Sequence, residues 1–220
     1  MYSGWIIQLV VFLAVLTGIA VILGEYIGTV FSGKKTVLAF VGAPIEKGLY
    51  KMFGVNPAEE MNWKTYAVNL LIFNAIGIVA LFFIQELQHF LPLNPQKFSA
   101  LRWDLALNTA VSFITNTNWQ NYGGESTMSY LTQMLGLAVQ NFLSAATGFA
   151  AMVALIRAFA RQSVMDIGNF WVDLTRTIVY ILLPISIVFA LILVSQGMIQ
   201  NVNRYVKAST LQGQEQTIPQ

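Results

Sequence analysis

The 220-residue chain is 56% hydrophobic and only 10% charged, with a net charge of +2. A soluble domain carries about 25% charged residues, so the composition excludes a disordered chain, a solenoid with a wet surface and most soluble enzymes; the small net charge gives no footprint for nucleic acid. With no cysteine and one histidine, His89, disulfides, thiolate metal sites, cysteine nucleophiles and a histidine metal cluster are excluded too, which leaves an all-α integral membrane protein.

Residues 1–24 contain no Asp, Glu, Lys or Arg. About 20 apolar residues cross the hydrocarbon core, so this window is expected to be a leading transmembrane helix. It lacks the positive n-region and the small-residue cleavage site of a signal peptide.

Residues 25–64 read as a loop. Within it, Pro44–Phe53 is expected to be a short helix, with proline at its first position and Gly54 just past its end. Ile45, Leu49, Met52 and Phe53 share one face, which suits a helix lying on the membrane surface or against a partner. Tyr66 to Ile84 is the second span, with Asn69 and Asn74 embedded in it. His89 follows Glu86 at its end and reads as a surface residue.

The charge-free window 105–124 differs from the others. Leu105 to Ile114 forms a helix of about 15 Å, half a bilayer, with Asp104 placed to cap its N-terminus. Thr115-Asn-Thr-Asn-Trp-Gln-Asn-Tyr-Gly-Gly124 is polar and uncharged. It cannot be a lipid-facing helix, because irregular backbone at membrane depth survives only inside protein or beside water. The residues alone leave two readings open: an exterior loop, or a pore loop entered through a half-length helix.

Met128 to Ile156 is the third span, long enough at about 43 Å to tilt or project beyond the bilayer. Gln140, Asn141 and Ser144 read as hydrogen-bond glue between helices, or as the lining of a wet path. Gly136 and Gly148 suit close packing or a bend. Arg157 and Arg161 read as topology anchors at its end. Asp166 and Asp173 flank a turn, with no second chemical group in view for either. Thr177 to Met198 is the fourth span, with Pro184 inside, and Ser209 to Gln220 reads as a polar exterior loop.

The loops 25–64 and 157–176 hold eight Lys and Arg residues, against four in 87–127 and the tail. The positive-inside rule therefore places these two loops in the cytoplasm and the N-terminus outside. A half-helix dipping in from outside aims its partly negative C-terminal end at the bilayer centre. The loop after it can present backbone carbonyls and the side-chain oxygens of Thr115, Asn116, Thr117 and Asn118, which replace the water shell of an alkali cation. No carboxylate lies within 115–124 to favour a divalent ion, and Gly123 and Gly124 let the chain turn back where a side chain would clash. The chain has no glycine-rich phosphate loop and no Asp-Lys-Thr-Gly phosphorylation motif, so ATP hydrolysis by this chain is not expected.

Three stretches resemble the potassium-transporting ATPase A chain family: Thr115-Asn-Thr-Asn-Trp-Gln-Asn-Tyr-Gly-Gly-Glu125, Pro44 to Pro57 with Met61-Asn-Trp-Lys-Thr-Tyr66, and Leu135-Gly-Leu-Ala-Val-Gln-Asn-Phe-Leu-Ser-Ala-Ala-Thr-Gly148. The resemblance implies four repeats of span, pore helix, filter and span in one chain. It implies K⁺ as the transported ion, a P-type ATPase catalytic partner, small accessory membrane subunits and a bacterial inner membrane. No nucleotide is expected on this chain. By position, Thr115 to Asn118 form one quarter of the filter, and Gln120 sits behind it and tunes affinity. On this reading 65–156 is the first repeat and 157–220 the start of a second, whose filter is expected near 227 by the same spacing. Two rivals stand beside it: a channel or transporter that assembles several copies, and a non-transporting membrane scaffold. The scaffold reading puts 115–124 outside the membrane.

Overall fold

The computed structural model describes residues 3–161, 165–198 and 201–218. Most of the chain is helical. Helix α1, Ser3–Phe31, stands almost wholly exposed, and only its last turns reach the rest of the chain through Tyr26, Ile27, Val30 and Phe31. Helix α2, Ala39–Phe53, is followed by α3, Trp63–Glu86, and by the short α4, Trp103–Ile114. After the one-turn α5, Gly124–Thr127, a π-helical stretch Thr132–Ala138 runs into α6, Val139–Ala160. Helix α7, Phe170–Arg176, continues through a second π stretch, Thr177–Leu182, into α8, Leu183–Ser195.

Four helical stretches are long and apolar enough to cross a membrane: Gly4–Phe31, Trp63–Glu86, Thr132–Ala160 and Phe170–Ser195. The protein is a multi-pass, all-α membrane protein with one small addition. Residues Val206–Ser209 and Glu215–Ile218 pair antiparallel, Val206 opposite Ile218, so the expected exterior loop is an exposed hairpin as far as residue 218. Residues 219 and 220, and 1 and 2 of the first window, lie outside the described residues.

Two helix starts follow from asparagines. Asn62 caps α3, its Oδ1 accepting from the Lys64 and Thr65 N–H groups at 3.0 Å each. Asn169 caps α7 by accepting from the N–H groups of Trp171 and Val172. Asp104 does not cap α4: the helix starts at Trp103, two residues before the expected Leu105, and Asp104 pairs with Arg102 instead.

The π stretch before α8 has a local cause. Pro184 has no N–H to offer the carbonyl of Tyr180 four residues back, and its ring crowds that carbonyl. The Tyr26 hydroxyl of α1 donates to the Tyr180 carbonyl at 2.8 Å, replacing the lost bond and tying α1 to the fourth span.

Helix α2 begins five residues before the expected Pro44, and Pro44 lies inside it. Its inward face is also not the apolar one. Gly42, Glu46 and Tyr50 face the chain, while Ile45, Met52 and Phe53 are exposed. A Cβ on Gly42 would sit 2.3 Å from the Tyr180 ring, so only glycine permits this approach. Gly54 ends the helix at φ 67°, its N–H donating to the Tyr50 carbonyl.

Three apolar clusters hold the helices. The first surrounds α4, with Leu81, Leu101, Ala106, Ala110, Phe113, Met128 and Leu137. The second joins Tyr66, Ala146, Ala150, Ala154, Phe170 and Leu174, and the third joins Val30 to Val179, Tyr180 and Ile181. Small side chains on α4 and α6 let the helices approach closely. Gly136 serves this purpose, since a Cβ there would meet Leu81 Cδ1 at 2.8 Å; Gly148 has nothing within 4 Å and does not.

Candidate functional site

The site is built from the end of α4. Twelve residues of helix extend about 18 Å, and the chain then folds back over the helix end. The Thr115 N–H donates to Val111 O at 3.0 Å, Asn116 N–H to Phe113 O at 3.3 Å, and the Thr117 and Asn118 N–H groups both to Ser112 O at 2.9 and 3.2 Å. Asn116 and Asn118 each have φ 56°, in the left-handed region. Asparagine tolerates that region better than most residues with a Cβ.

The consequence is one-sided. All four N–H groups point back to the helix, and among the described residues the carbonyls of Thr115, Asn116, Thr117 and Asn118 accept no hydrogen bond. The carbonyls that would have carried the negative end of the α4 dipole are occupied by the loop. The free oxygens one turn further on carry it instead, on an exposed face.

The side-chain oxygens are less available than the sequence alone suggested. Thr115 Oγ1 donates to Val111 O at 2.9 Å and lies 2.9 Å from Thr117 Oγ1. Asn116 Oδ1 accepts from Ser144 Oγ of α6 at 3.4 Å. The backbone carbonyls are therefore the principal unpaired acceptors.

Residues beyond the expected set hold the loop. Ser112 receives two loop N–H groups at its carbonyl, and its hydroxyl donates to Trp119 O at 3.0 Å. Gln88, fully buried, donates from Nε2 to Ser99 O and Thr127 O, while its Oε1 accepts from the Ser129 N–H and the Thr132 hydroxyl. Gln85 donates to the Leu81 and Ala106 carbonyls, pinning the first turn of α4 to α3. Gln85 lies in the last turn of α3 and Gln88 in the turn just past its end, and no local sequence pattern marks either as a support.

Gln120 is exposed and faces the Tyr122 hydroxyl, a buried oxygen beside Thr109. At Gly123 a Cβ would meet Ser126 Oγ at 2.8 Å, but at Gly124 it would meet nothing nearer than 3.7 Å. The steric reason expected for Gly124 therefore does not hold; its carbonyl accepts from the Met128 N–H instead. Gln140 packs beside Gly77 and Ile114, at the foot of α4, and Asn141 is exposed.

At the opposite end of the spans the expectations for charged residues need correction. Arg157 makes a two-pronged pair with the fully buried Asp173, at 2.6 and 2.8 Å, and Tyr66 donates to the same carboxylate at 3.1 Å. Asp173 thus has two chemical partners, and Arg157 is a structural tie between α6 and α7. Arg161 pairs likewise with Glu60 at 2.7 and 3.0 Å, and this pairing holds the Glu60 carboxyl below the usual glutamate range. Among the described residues Asp166 contributes only backbone, accepting from Arg161 and pairing with Asn62. His89 is exposed against Phe90.

Glu46 of α2 accepts from Tyr50, Arg176 and Tyr180 at 2.7, 2.9 and 2.9 Å. Burial pushes its carboxyl up, but these hydrogen bonds outweigh burial and hold it below the usual glutamate range.

The fold and the loop define a class: a multi-pass membrane protein built around a unit of span, half-length helix, carbonyl-lined loop and span. Residues 10–220 match the family model described as potassium-transporting ATPase A subunit, and the chain belongs to that family. It is 54% identical over 207 residues to the potassium-transporting ATPase potassium-binding subunit of Bordetella pertussis, covering 94% of this chain and 35% of the relative. The subunit of the same name from Ralstonia pickettii is 54% identical over 209 residues, 95% of this chain and 35% of the relative. That from Rhodospirillum centenum is 50% identical over 220 residues, 100% and 38%. The chain thus spans little more than a third of the length of these curated relatives.

Proposed function

We propose that this chain supplies one quarter of the K⁺ filter of an ATP-driven potassium pump. The observation that carries the reading is the row of unpaired carbonyls at Thr115 to Asn118, with every N–H in the row committed to α4. Oxygen dipoles on a fixed backbone replace the hydration shell of an alkali cation, and the absence of a carboxylate in the loop suits a monovalent one. Ser112 holds the row directly, while Gln85 fixes the start of α4 and Gln88 ties together the segments that precede and follow the loop. Gln120 sits beside the row and bears on affinity, and Gly123 lets the loop return.

The printed name of the relatives, a potassium-binding subunit of a potassium-transporting ATPase, supports K⁺ as the cargo and an assembly with other subunits. On this reading ATP is hydrolysed on a P-type ATPase partner chain, small accessory membrane subunits complete the complex, and no nucleotide binds here. The setting is a bacterial inner membrane, with the N-terminus outside and the filter facing out; the bias of Lys and Arg toward 25–64 and 157–176 supports that orientation.

The test is K⁺ uptake by cells carrying the full-length chain with Gln120→Arg, which sets a cation beside the oxygen row. The reading expects weaker apparent K⁺ affinity at normal expression. Unchanged affinity counts against it.

A further inference from the structure

The last turns of α1, the 33–36 turn and the start of α2 enclose a cavity of about 120 Å³, lined among others by Lys34, Lys35, Thr36, Glu46, Arg176 and Tyr180. Its charges are uneven. Glu46 and Arg176 neutralise each other at 2.9 Å. Lys34 and Lys35 are exposed, and among the described residues neither ammonium has an acidic partner. Helix α2 opens beside them with no acidic residue in its first turn to offset the two charges.

Next to this cavity lies a second space of opposite character. A groove of about 540 Å³ runs between α1 and α8, walled by Ile19, Ile22, Leu23, Ile185 and Val188, almost without polar surface. Tyr180 lines both spaces, and Leu38 in the groove lies between Thr36 and Ala39 of the cavity. Both helices that form the groove are candidate membrane spans. A cationic recess at the end of a span, opening onto an apolar furrow along it, matches the two halves of one kind of molecule.

The geometry points to a binding site for an anionic phospholipid, its phosphate beside Lys34 and Lys35 and one acyl chain in the α1–α8 groove. Basic recesses between transmembrane helices bind anionic head groups in this way. A free anion would use only the recess, and a zwitterionic lipid would bring a cationic head group, beside its phosphate, to a recess whose two lysines are already uncompensated. The anionic lipid uses both, which commits the site to it. Occupancy would also add a second tie between α1 and the fourth span, beside the Tyr26–Tyr180 hydrogen bond.

The test is native mass spectrometry of the full-length protein, titrated with phosphatidylglycerol or with phosphatidylcholine of matched chains. The expected result is selective retention of phosphatidylglycerol. The pair Lys34→Ala and Lys35→Ala, both on an exposed turn, should cut that retention about tenfold or more, to the level of phosphatidylcholine. Val188→Trp, which fills the groove, should weaken both lipids. Equal retention of the two lipids by the wild type, or full retention by the lysine pair, would overturn the proposal. So would displacement of phosphatidylglycerol by millimolar inorganic phosphate, which would mark a site for a free anion.

Discussion

The backbone N–H of Thr117 donates to the carbonyl of Ser112 at 2.9 Å, five residues back, and the N–H of Asn118 shares the same acceptor at 3.2 Å. This pair of bonds fixes which way the loop carbonyls point. The Ser112 hydroxyl adds a third tie, to Trp119 O at 3.0 Å.

Ser112→Ala removes only that third tie and leaves a carbonyl without its partner, at a cost of about 1 kcal/mol. The expected outcome is a looser loop, with poorer discrimination of K⁺ from Rb⁺ or Na⁺ and little loss of folded protein. Competition of these ions in uptake by the full-length protein measures it. Intact selectivity would show that the two backbone bonds suffice.

Asn116 and Asn118 hold left-handed backbone that a β-branched side chain resists. Asn116→Val is expected to strain the loop by about 1–2 kcal/mol and to weaken K⁺ binding roughly tenfold. Asn116→Gly keeps the backbone and gives up the long contact to Ser144. K⁺ affinity should therefore fall in the order wild type, glycine, valine. If valine and glycine behave alike, the side-chain amide matters and the backbone does not.

The Arg157–Asp173 pair lies far along the spans from the loop and makes a stability prediction. Arg157→Ala strands a buried carboxylate and should cost about 3–5 kcal/mol. Replacing both charges, Arg157→Met with Asp173→Leu, should recover most of that. The thermal midpoint of the full-length protein in detergent reads both variants, and a double variant no more stable than the single would contradict the assignment.

Glu46 gives a pH dependence. Its carboxyl is held below the usual glutamate range in the folded chain, chiefly by hydrogen bonds that outweigh its burial. The stabilisation is therefore complete above the unfolded glutamate value and fades as the pH falls through the lower folded value. Wild type should lose thermal stability on acidification below about pH 4.5. Glu46→Gln should start lower at neutral pH and lose less over the same range.

Much of this was legible in the sequence because membrane burial is written in composition. The four spans and the half-length helix before Thr115 follow from where charge is missing. What escaped notice was specific pairing across helices. Asp173 looked solitary because Arg157 lies sixteen residues away and Tyr66 over a hundred, and no local pattern announces such contacts. In α2 only the start was displaced, to Ala39 from Pro44; the docking of Gly42, Glu46 and Tyr50 on the chain had no local signal, and it leaves Ile45, Met52 and Phe53 exposed on the apolar face. Ser112 and Gln88 were equally silent, because their roles depend on where the loop folds back.

The central claim is that the Thr115–Asn118 carbonyls hold a monovalent cation. The most direct measurement is a structure of the full-length protein with Tl⁺ or Rb⁺ in place of K⁺, locating the ion by its anomalous scattering. The account predicts a peak in contact with these four carbonyl oxygens and no peak in Na⁺ alone. A site that excludes residues 115–118, or a peak lined by side-chain carboxylates, would contradict it.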